Sequence, residues 1–503
     1  MYFTRLGRLF HGDVRPLRNA LQQLLATDTY DVGQVGIDIL PGDVLLEVFD
    51  FYVQNTKGTN RWMTLVHVCQ RWRNIVFGST LRLDLQLVCT NITPVRTLNV
   101  WPPLPIIVKR RLNLSRNIDD ILATFKHYDR ICKITLADIR SSQWKKVLPA
   151  MQEQFPALKY LKLASSKTRL VAADPILGGS APRLQVFSLD GISFRGLPNL
   201  LLSTTDLVVL DLFNIPHSGY ISPEAMVKCL SALTRLTKLL LKFESPRSRP
   251  DRERRRPPPP TRSVLPTLAS FVFKGVSEYL EDLVSGIDAP QLSQLAITFF
   301  HQLIFDTPQL TQFISRMPTL MAHDLAQARL VFCKRYICVI FPRALGGVFR
   351  IGISCIQSDW QLSALAQLCI SSFPQILIPT VEHLYIIENA YHRHHWQGDI
   401  ENSQWLEILP PFTAVKNLYL SKELVPRVAP SLQGLVGVRV TESLPALQGL
   451  HLEEGYRKSQ TIEKAISKFV GARWLAMSYW QRDRPSWSFG IPDVYPTFVF
   501  FEE

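Results

Sequence analysis

The sequence predicts an α/β chain in two parts: a small helical module, then a long solenoid of strand–turn–helix units. Three observations carry that expectation. Two short, strongly apolar segments between residues 40 and 77 have helical periodicity. From residue 131 onward one template recurs, apolar-x-x-apolar-x-apolar, at near-regular spacing. Between its copies lie helix-compatible stretches, and Pro or Ala-Pro often sits just before the next template, where it blocks helix propagation. With 503 residues and 47% hydrophobic content, the chain can bury a large core.

Residues 1–36 read as an N-terminal helical extension. Arg5, Arg8, Arg15 and Arg18 accompany a stripe of Leu17, Leu21, Leu24 and Leu25, without the apolar block of a signal peptide. Residues 37–80 form the helical module. On a wheel of about 100° per residue, Val44, Leu45, Leu46, Val48, Phe49, Phe51, Tyr52 and Val53 cover most of the first helix. Only Asp43, Glu47, Asp50 and Gln54 make a polar wedge. A helix facing one core needs an apolar stripe of about 100°, so the surplus needs a second acceptor. Trp62, Leu65, Val66, Val68, Cys69, Trp72, Ile75, Val76 and Phe77 repeat that excess on the second segment.

These residues resemble the F-box, the helical module that docks a substrate receptor onto the adaptor subunit of a cullin–RING ubiquitin ligase. The family pattern begins with Leu-Pro, an acidic residue, an aliphatic pair and an aliphatic-Phe pair, and ends with Val-Cys-x-x-Trp. Here it reads Leu40-Pro41, Asp43, Leu45-Leu46, Val48-Phe49, Leu65, Val68-Cys69 and Trp72. Gly42 departs from it, at a cost of about 1 kcal/mol against Ala in a helix. The version most like this one is abundant in mushroom-forming (basidiomycete) fungi. The resemblance implies that Leu40, Pro41, Leu45, Leu46, Phe49, Val68 and Trp72 bind the adaptor or support the residues that do. Leu45 and Leu46 lie about 100° apart on the helix, so one can face inward and the other outward.

Residues 81–130 are expected to connect and cap. Leu81, Leu83 and Leu85 alternate as a strand would, and Trp101–Val108 reads as an extended entry piece. Residues 131–503 carry the repeat. It runs Ile131/Ile134/Leu136, Leu158/Leu161/Leu163, Leu184/Phe187/Leu189, Leu207/Leu210/Leu212, Leu236/Leu239/Leu241 and Leu268/Phe271/Phe273. It continues as Leu292/Leu295/Ile297, Leu325/Ala328/Leu330, Val348/Ile351/Ile353, Val381/Leu384/Ile386, Val415/Leu418/Leu420 and Leu447/Leu450/Leu452. The final two apolar positions of each copy are two apart, the period of a strand. Helices are expected at Trp144–Phe155, Pro223–Leu233, Gln309–Met317 and Leu362–Phe373. Each unit buries its apolar face only by stacking on its neighbours. The array resembles irregular leucine-rich repeats. The Asn or Cys that such repeats place at the ninth position occurs only as Asn389 and Cys333, with Asn214 one residue early.

The net charge of +14 is partly local. Between Arg247 and Arg262 seven arginines oppose Asp251 and Glu253 among Pro246, Pro250 and Pro257–Pro260. Such a run lacks apolar residues and reads as a solvated loop, 247–262, between two repeats. No DNA-reading motif accompanies the remaining charge, which argues against nucleic acid as a partner. No apolar run reaches the ~18 residues of a membrane span; the strongest, Val331–Ile356, is broken by Lys334, Arg335, Arg343 and Arg350. The eight cysteines contain no CxxC pair, so neither zinc nor disulfides are indicated and an intracellular setting, cytoplasmic or nuclear, is expected. Tyr391–Trp396 holds three histidines without metal-ligand spacing. No nucleophile elbow, phosphate loop or dinucleotide motif is present, so the expectation is no enzyme, no cofactor and no metal.

Binding residues of such an array belong on strand positions that point away from the core. His383, Tyr385, Tyr419 and His451 would neighbour one another there on consecutive strands and are the expected target-binding residues. The expected function is a non-catalytic substrate receptor, with the helical module holding the adaptor and the repeats an unknown target protein. The alternative is a repeat scaffold without ligase association.

Overall fold

The computed structural model describes residues 40–55, 61–90, 98, 101–110, 118–137, 139–165, 169–250, 261–302, 305–321, 326–333, 336–342, 348–354, 358–371, 378–388, 405, 407–434 and 443–481. The expected 1–36 helix, Asn389, Leu325, the Tyr391–Trp396 cluster and residues 251–260 of the Arg/Pro loop lie outside them. The chain divides into two compact units, the first ending at Leu161 and the second beginning at Lys162.

The first unit opens with α1 (Gly42–Asn55), α2 (Trp62–Val66) and α3 (Gln70–Gly78). Pro41 stands just ahead of α1, where its missing N–H costs nothing, and its carbonyl accepts from Leu45 N at 3.0 Å. Cys69 caps α3, its sulfur accepting from Trp72 N at 3.5 Å. Phe49 of α1 and Trp72 of α3 pack at 4.6 Å between ring centroids. Strands β1 (Leu87–Cys89), β2 (Ile106–Lys109) and β3 (Ile131–Leu136) follow, with α4 (Asp119–Thr124) before β3 and α5 (Ser141–Ala150) after it. β1 pairs β2 in parallel, Leu87 opposite Ile106, and β2 pairs β3 in parallel, Ile106 opposite Ile131. Parallel strand pairing therefore begins before residue 131. The strand expected at Leu81–Leu85 is instead a turn, with Leu83 and Leu85 buried and Leu81 95% exposed. Their alternation reflects packing of a turn, and the strand starts at Leu87.

The second unit begins within strand β4 (Tyr160–Ala164) and holds one large sheet. Its next strands are β5 (Val186–Asp190), β6 (Val209–Ile215), β7 (Lys238–Phe243), β8 (Ser270–Gly275) and β9 (Gln294–Phe300), side by side in chain order. Helices α6 (Leu197–Ser203), α7 (Pro223–Ala232), α8 (Ser277–Ser285), α9 (Pro308–Ser315) and α10 (Pro318–Met321) lie between or after them, each packed beside the next. Ser222 caps α7, accepting from Ala225 N at 3.3 Å, with Pro223 in the first turn. Thr307 precedes Pro308 of α9, and the Glu281 carboxylate accepts from Gln309 N and Leu310 N at 2.9 and 2.8 Å. The core-facing positions line up from β6 to β9, Leu210 facing Leu239, Leu239 facing Phe271 and Phe271 facing Leu295.

The regular order then breaks. β10 (Gln327–Cys333), β11 (Tyr336–Pro342) and β12 (Val348–Ser354) occupy the sheet in reverse, β9–β12–β11–β10. β12 is parallel to β9, while β11 is antiparallel to both neighbours. The templates at 325 and 348 are thus the outer strands of a meander, not two solenoid turns. The segment between them, Tyr336-Ile337-Cys338-Val339-Ile340-Phe341, is aromatic and β-branched and makes a strand that the repeat template does not include. Gly352 permits the contact: a Cβ there would stand 2.5 Å from both Cys338 Cβ and Ile337 O.

Helix α11 (Ser358–Ser371) leads back to parallel order with β13 (His383–Glu388), β14 (Asn417–Leu420), β15 (Gly449–Glu453) and β16 (Ala476–Trp480). α12 (Val425–Gln433) and α13 (Gln460–Arg473) pack together. Every described apolar position of the template is buried except Val348, which is half-buried. Asn214 holds φ at 45° where β6 and β7 lose register, and its side chain donates to Asp190 Oδ1 at 2.7 Å. The large, mostly parallel sheet with helices between its strands makes this an α/β fold, consistent with a leucine-rich-repeat-like array.

Candidate functional site

In the first unit the seven family-pattern residues divide by burial. Leu45, Phe49 and Trp72 are buried among α1–α3, whereas Leu40, Leu46 and Val68 are half-exposed and Pro41 is exposed. Leu45 is therefore the inward member of the Leu45–Leu46 pair. Val44 and Phe51, two turns apart on α1, are 40% and 36% exposed, so apolar surface remains on the solvent side of the module. Arg71 Nη2 donates to Leu40 O at 2.6 Å and fixes the approach to α1.

In the second unit the open face of the sheet carries the other candidate residues. Alternation places Leu384, Ile386, Leu418, Leu420, Leu450 and Leu452 in the core, so the residues between them point out. Arg329 of β10, Tyr385 of β13, Tyr419 of β14, His451 of β15 and Ser478 of β16 are successive register partners. Because the neighbours are in register, their side chains form one ladder. Arg329 lies 5.6 Å from the Tyr385 ring centre. Tyr385 stacks on Tyr419 at 4.2 Å and 11°, and Tyr419 stacks on His451 at 4.3 Å and 14°.

Polar contacts hold the imidazole. His451 Nδ1 and Ser478 Oγ are 2.6 Å apart, and Nε2 and Asn417 Oδ1 are 3.0 Å apart. Gly449 leaves room for this pairing, since a Cβ there would be 2.7 Å from Asn417 Oδ1 and 2.9 Å from His451 Nε2. Burial, and then His383, lower the His451 pKa. Burial and Tyr419 raise that of Tyr385. Both groups are thus neutral at pH 7, and the stack is an uncharged aromatic platform with Arg329 at one end.

The four expected target-binding residues are brought together, with one in a different row. His383 is in register with Asn417 and lies 6.1 Å from the Tyr419 ring. Trp480, Arg329, Asn417 and Gly449 were not among the expected residues. Trp480 sets its ring edge-on to Tyr385 and Tyr419 at 6.0 and 5.9 Å. The signal for it was a further template copy, Trp474/Met477/Tyr479, centred on Ser478. The residue of β12 in this row is Arg350, since Arg329 faces Ile340 of β11 and Ile340 faces Arg350.

Among the described residues no group of His, Cys, Asp and Glu side chains could hold a metal ion. No described helix is long and apolar enough to cross a membrane.

No protein-family model matches the chain. No curated protein matches it either. Among solved structures it is similar to the leucine-rich repeat-containing protein LegL7 from Legionella pneumophila, at 13% identity and a TM-score of 0.28, over 77% of this chain and 98% of that one.

Proposed function

We propose that the protein is a substrate-receptor subunit of a cullin–RING ubiquitin ligase and catalyses nothing itself. Helices α1–α3 hold the adaptor, and the open face of the second unit's sheet holds a target protein for ubiquitin transfer by the ligase's other subunits. Proximity and orientation are then its whole contribution. The observation that carries this reading is the split of the family-pattern residues. Leu45, Phe49 and Trp72 form the module's interior, while Leu40, Pro41, Leu46 and Val68 keep apolar surface outside it, with Val44 and Phe51 of α1 exposed as well. That second set is the apolar surface through which such a module would meet a partner.

The target side is supported by the Tyr385–Tyr419–His451 stack with Trp480. Rigid, half-exposed aromatic groups give contact area at low entropic cost. The test is co-purification of the folded wild-type chain with purified adaptor at micromolar concentration. Capture supports the receptor reading. Absence of capture removes it and leaves a repeat scaffold.

A further inference from the structure

The aromatic ladder ends on β16, which is the last strand of the large sheet. Among the described residues its only strand partner is β15, so one edge of β16 is free. Ala476 N donates to Gln448 O at 2.9 Å, and Trp480 O accepts from Glu454 N at 3.0 Å. Residues 476, 478 and 480 therefore turn their backbone groups toward β15. Met477 and Tyr479 turn theirs toward the free edge.

Side chains at this edge are uncovered as well. Met477 and Tyr479 continue the core row of Leu450 and Leu452, which are fully buried, yet they are 46% and 48% exposed. Trp474, just ahead of the strand, is 93% exposed. The end of a stacked array needs a polar outer face for solubility, and natural edge strands carry Lys, Pro or a bulge. Residues 475–481 read Leu-Ala-Met-Ser-Tyr-Trp-Gln, without charge or proline. β16 also keeps register with β15 throughout, so no bulge twists the edge away.

A second copy of the same strand fits this edge. Antiparallel pairing about a two-fold axis at Ser478 sets Met477 of each copy opposite Tyr479 of the other. Every outward amide and carbonyl of these residues is then hydrogen-bonded. On the core side each pair places a thioether against an aromatic ring, a favourable contact. On the open side Ser478 meets Ser478. Ala476 meets Trp480, whose ring lies back against Tyr419 at 5.9 Å. No like charges face each other across residues 475–481 in this register.

We propose that β16 is a homodimerisation edge, through which two copies of the chain pair antiparallel about Ser478. Trp474, Met477 and Tyr479 offer about 400 Å² of side-chain surface per copy, roughly half of what a standard interface takes from each partner. The dimer is therefore weak, with a Kd on the order of tens of micromolar. Both Tyr385–Tyr419–His451 stacks then stand on one side of a continuous sheet. The pairing rests on the strand alone and needs neither the adaptor nor a target.

The test is sedimentation velocity of the full chain from about 1 to 200 µM. Wild type should pass from monomer to dimer across that range. Ser478→Lys and Ser478→Glu each set a charge against its own copy across the axis, and each should weaken the dimer at least about tenfold. Mixed in equal amounts, the two variants should pair with each other at wild-type strength or better.

A second measurement needs no variant: hydrogen exchange of the wild type in dilute and concentrated solution. The Met477 and Tyr479 amides should slow by about tenfold once nine-tenths of the chain is dimeric, while that of Ser478, turned toward β15, changes little. A chain that stays monomeric at the highest concentration overturns the proposal. Dimerisation of a chain ending at Gln481 would then make residues 482–503 the occupant of the edge. A dimer that both variants leave at wild-type strength, or one whose Met477 and Tyr479 amides gain no protection, also overturns it.

Discussion

Lys242, half-buried on β7 with its Nζ 5.1 Å from the Phe213 ring centre, makes a stability prediction. Its pKa falls from 10.5 to about 8 on folding, so between those values the unfolded chain binds more protons than the folded one. Stability therefore rises with pH across that window, and below pH 8 the full penalty is present. Lys242→Met keeps the apolar stem over Phe213 and removes the charge. It should raise stability at pH 7 by about 1–2 kcal/mol, a figure discounted for the half-exposed position. The gain should vanish by about pH 10.5. Paired denaturant melts of wild type and variant, pH by pH, check this; a pH-independent difference contradicts it. Gly42 gives a simpler case. A Cβ there would meet Ile75 Cδ1 at 3.8 Å, an ordinary contact. Gly42→Ala should therefore stabilise α1 by about 0.5–1 kcal/mol, read as a shift of the urea midpoint. At this scale the sequence shows the aromatic ladder clearly, because Tyr385, Tyr419 and His451 hold the same place in successive templates. It does not show that Asn417, Gly449 and Ser478 fix the imidazole, because those contacts depend on strand register in space.

The strands of the repeat are legible for a definite reason: two inward positions two residues apart, as in Leu210 and Leu212, can be met only by extended backbone beside a core. Helix positions follow, and α7 at Pro223–Ala232 ends one residue short of its expected end. The meander was not legible. Periodicity alone cannot tell a parallel crossover from a pair of antiparallel turns, and the 23-residue spacing from Leu325 to Val348 matches other units. Composition carried the missing information, since Tyr336–Phe341 contains no run of helix formers. Gly352 tests the meander directly. Gly352→Val drives a side chain into Cys338 Cβ and Ile337 O and should cost about 3 kcal/mol. Gly471→Ala in α13, where a Cβ meets nothing within 4 Å, should be neutral or stabilising by up to about 1 kcal/mol. Thermal melts of the two variants decide it, and equal stability would contradict the antiparallel packing of β11 on β12.

Two activities are proposed for two separately compact units, so the molecule should lose them independently. In the first unit, Pro41→Ala with Leu46→Ala removes exposed and half-exposed apolar groups while Leu45, Phe49 and Trp72 keep the interior filled. If these groups are hot spots, adaptor binding should fall by about 2–5 kcal/mol, at least a tenfold loss of affinity. Target capture by the second unit should persist, because stability in stacked repeats is chiefly a nearest-neighbour property. In the second unit, Tyr419→Ala removes the middle of the stack, with Tyr385 on one side and His451 on the other. Target capture, read by proximity labelling in the native cell, should drop by about tenfold or more while adaptor capture is unchanged. Circular dichroism confirms folding of both variants. Loss of both activities in either variant would mean that the two surfaces act as one, and the division of labour between adaptor-holding helices and a target-holding sheet would have to be abandoned.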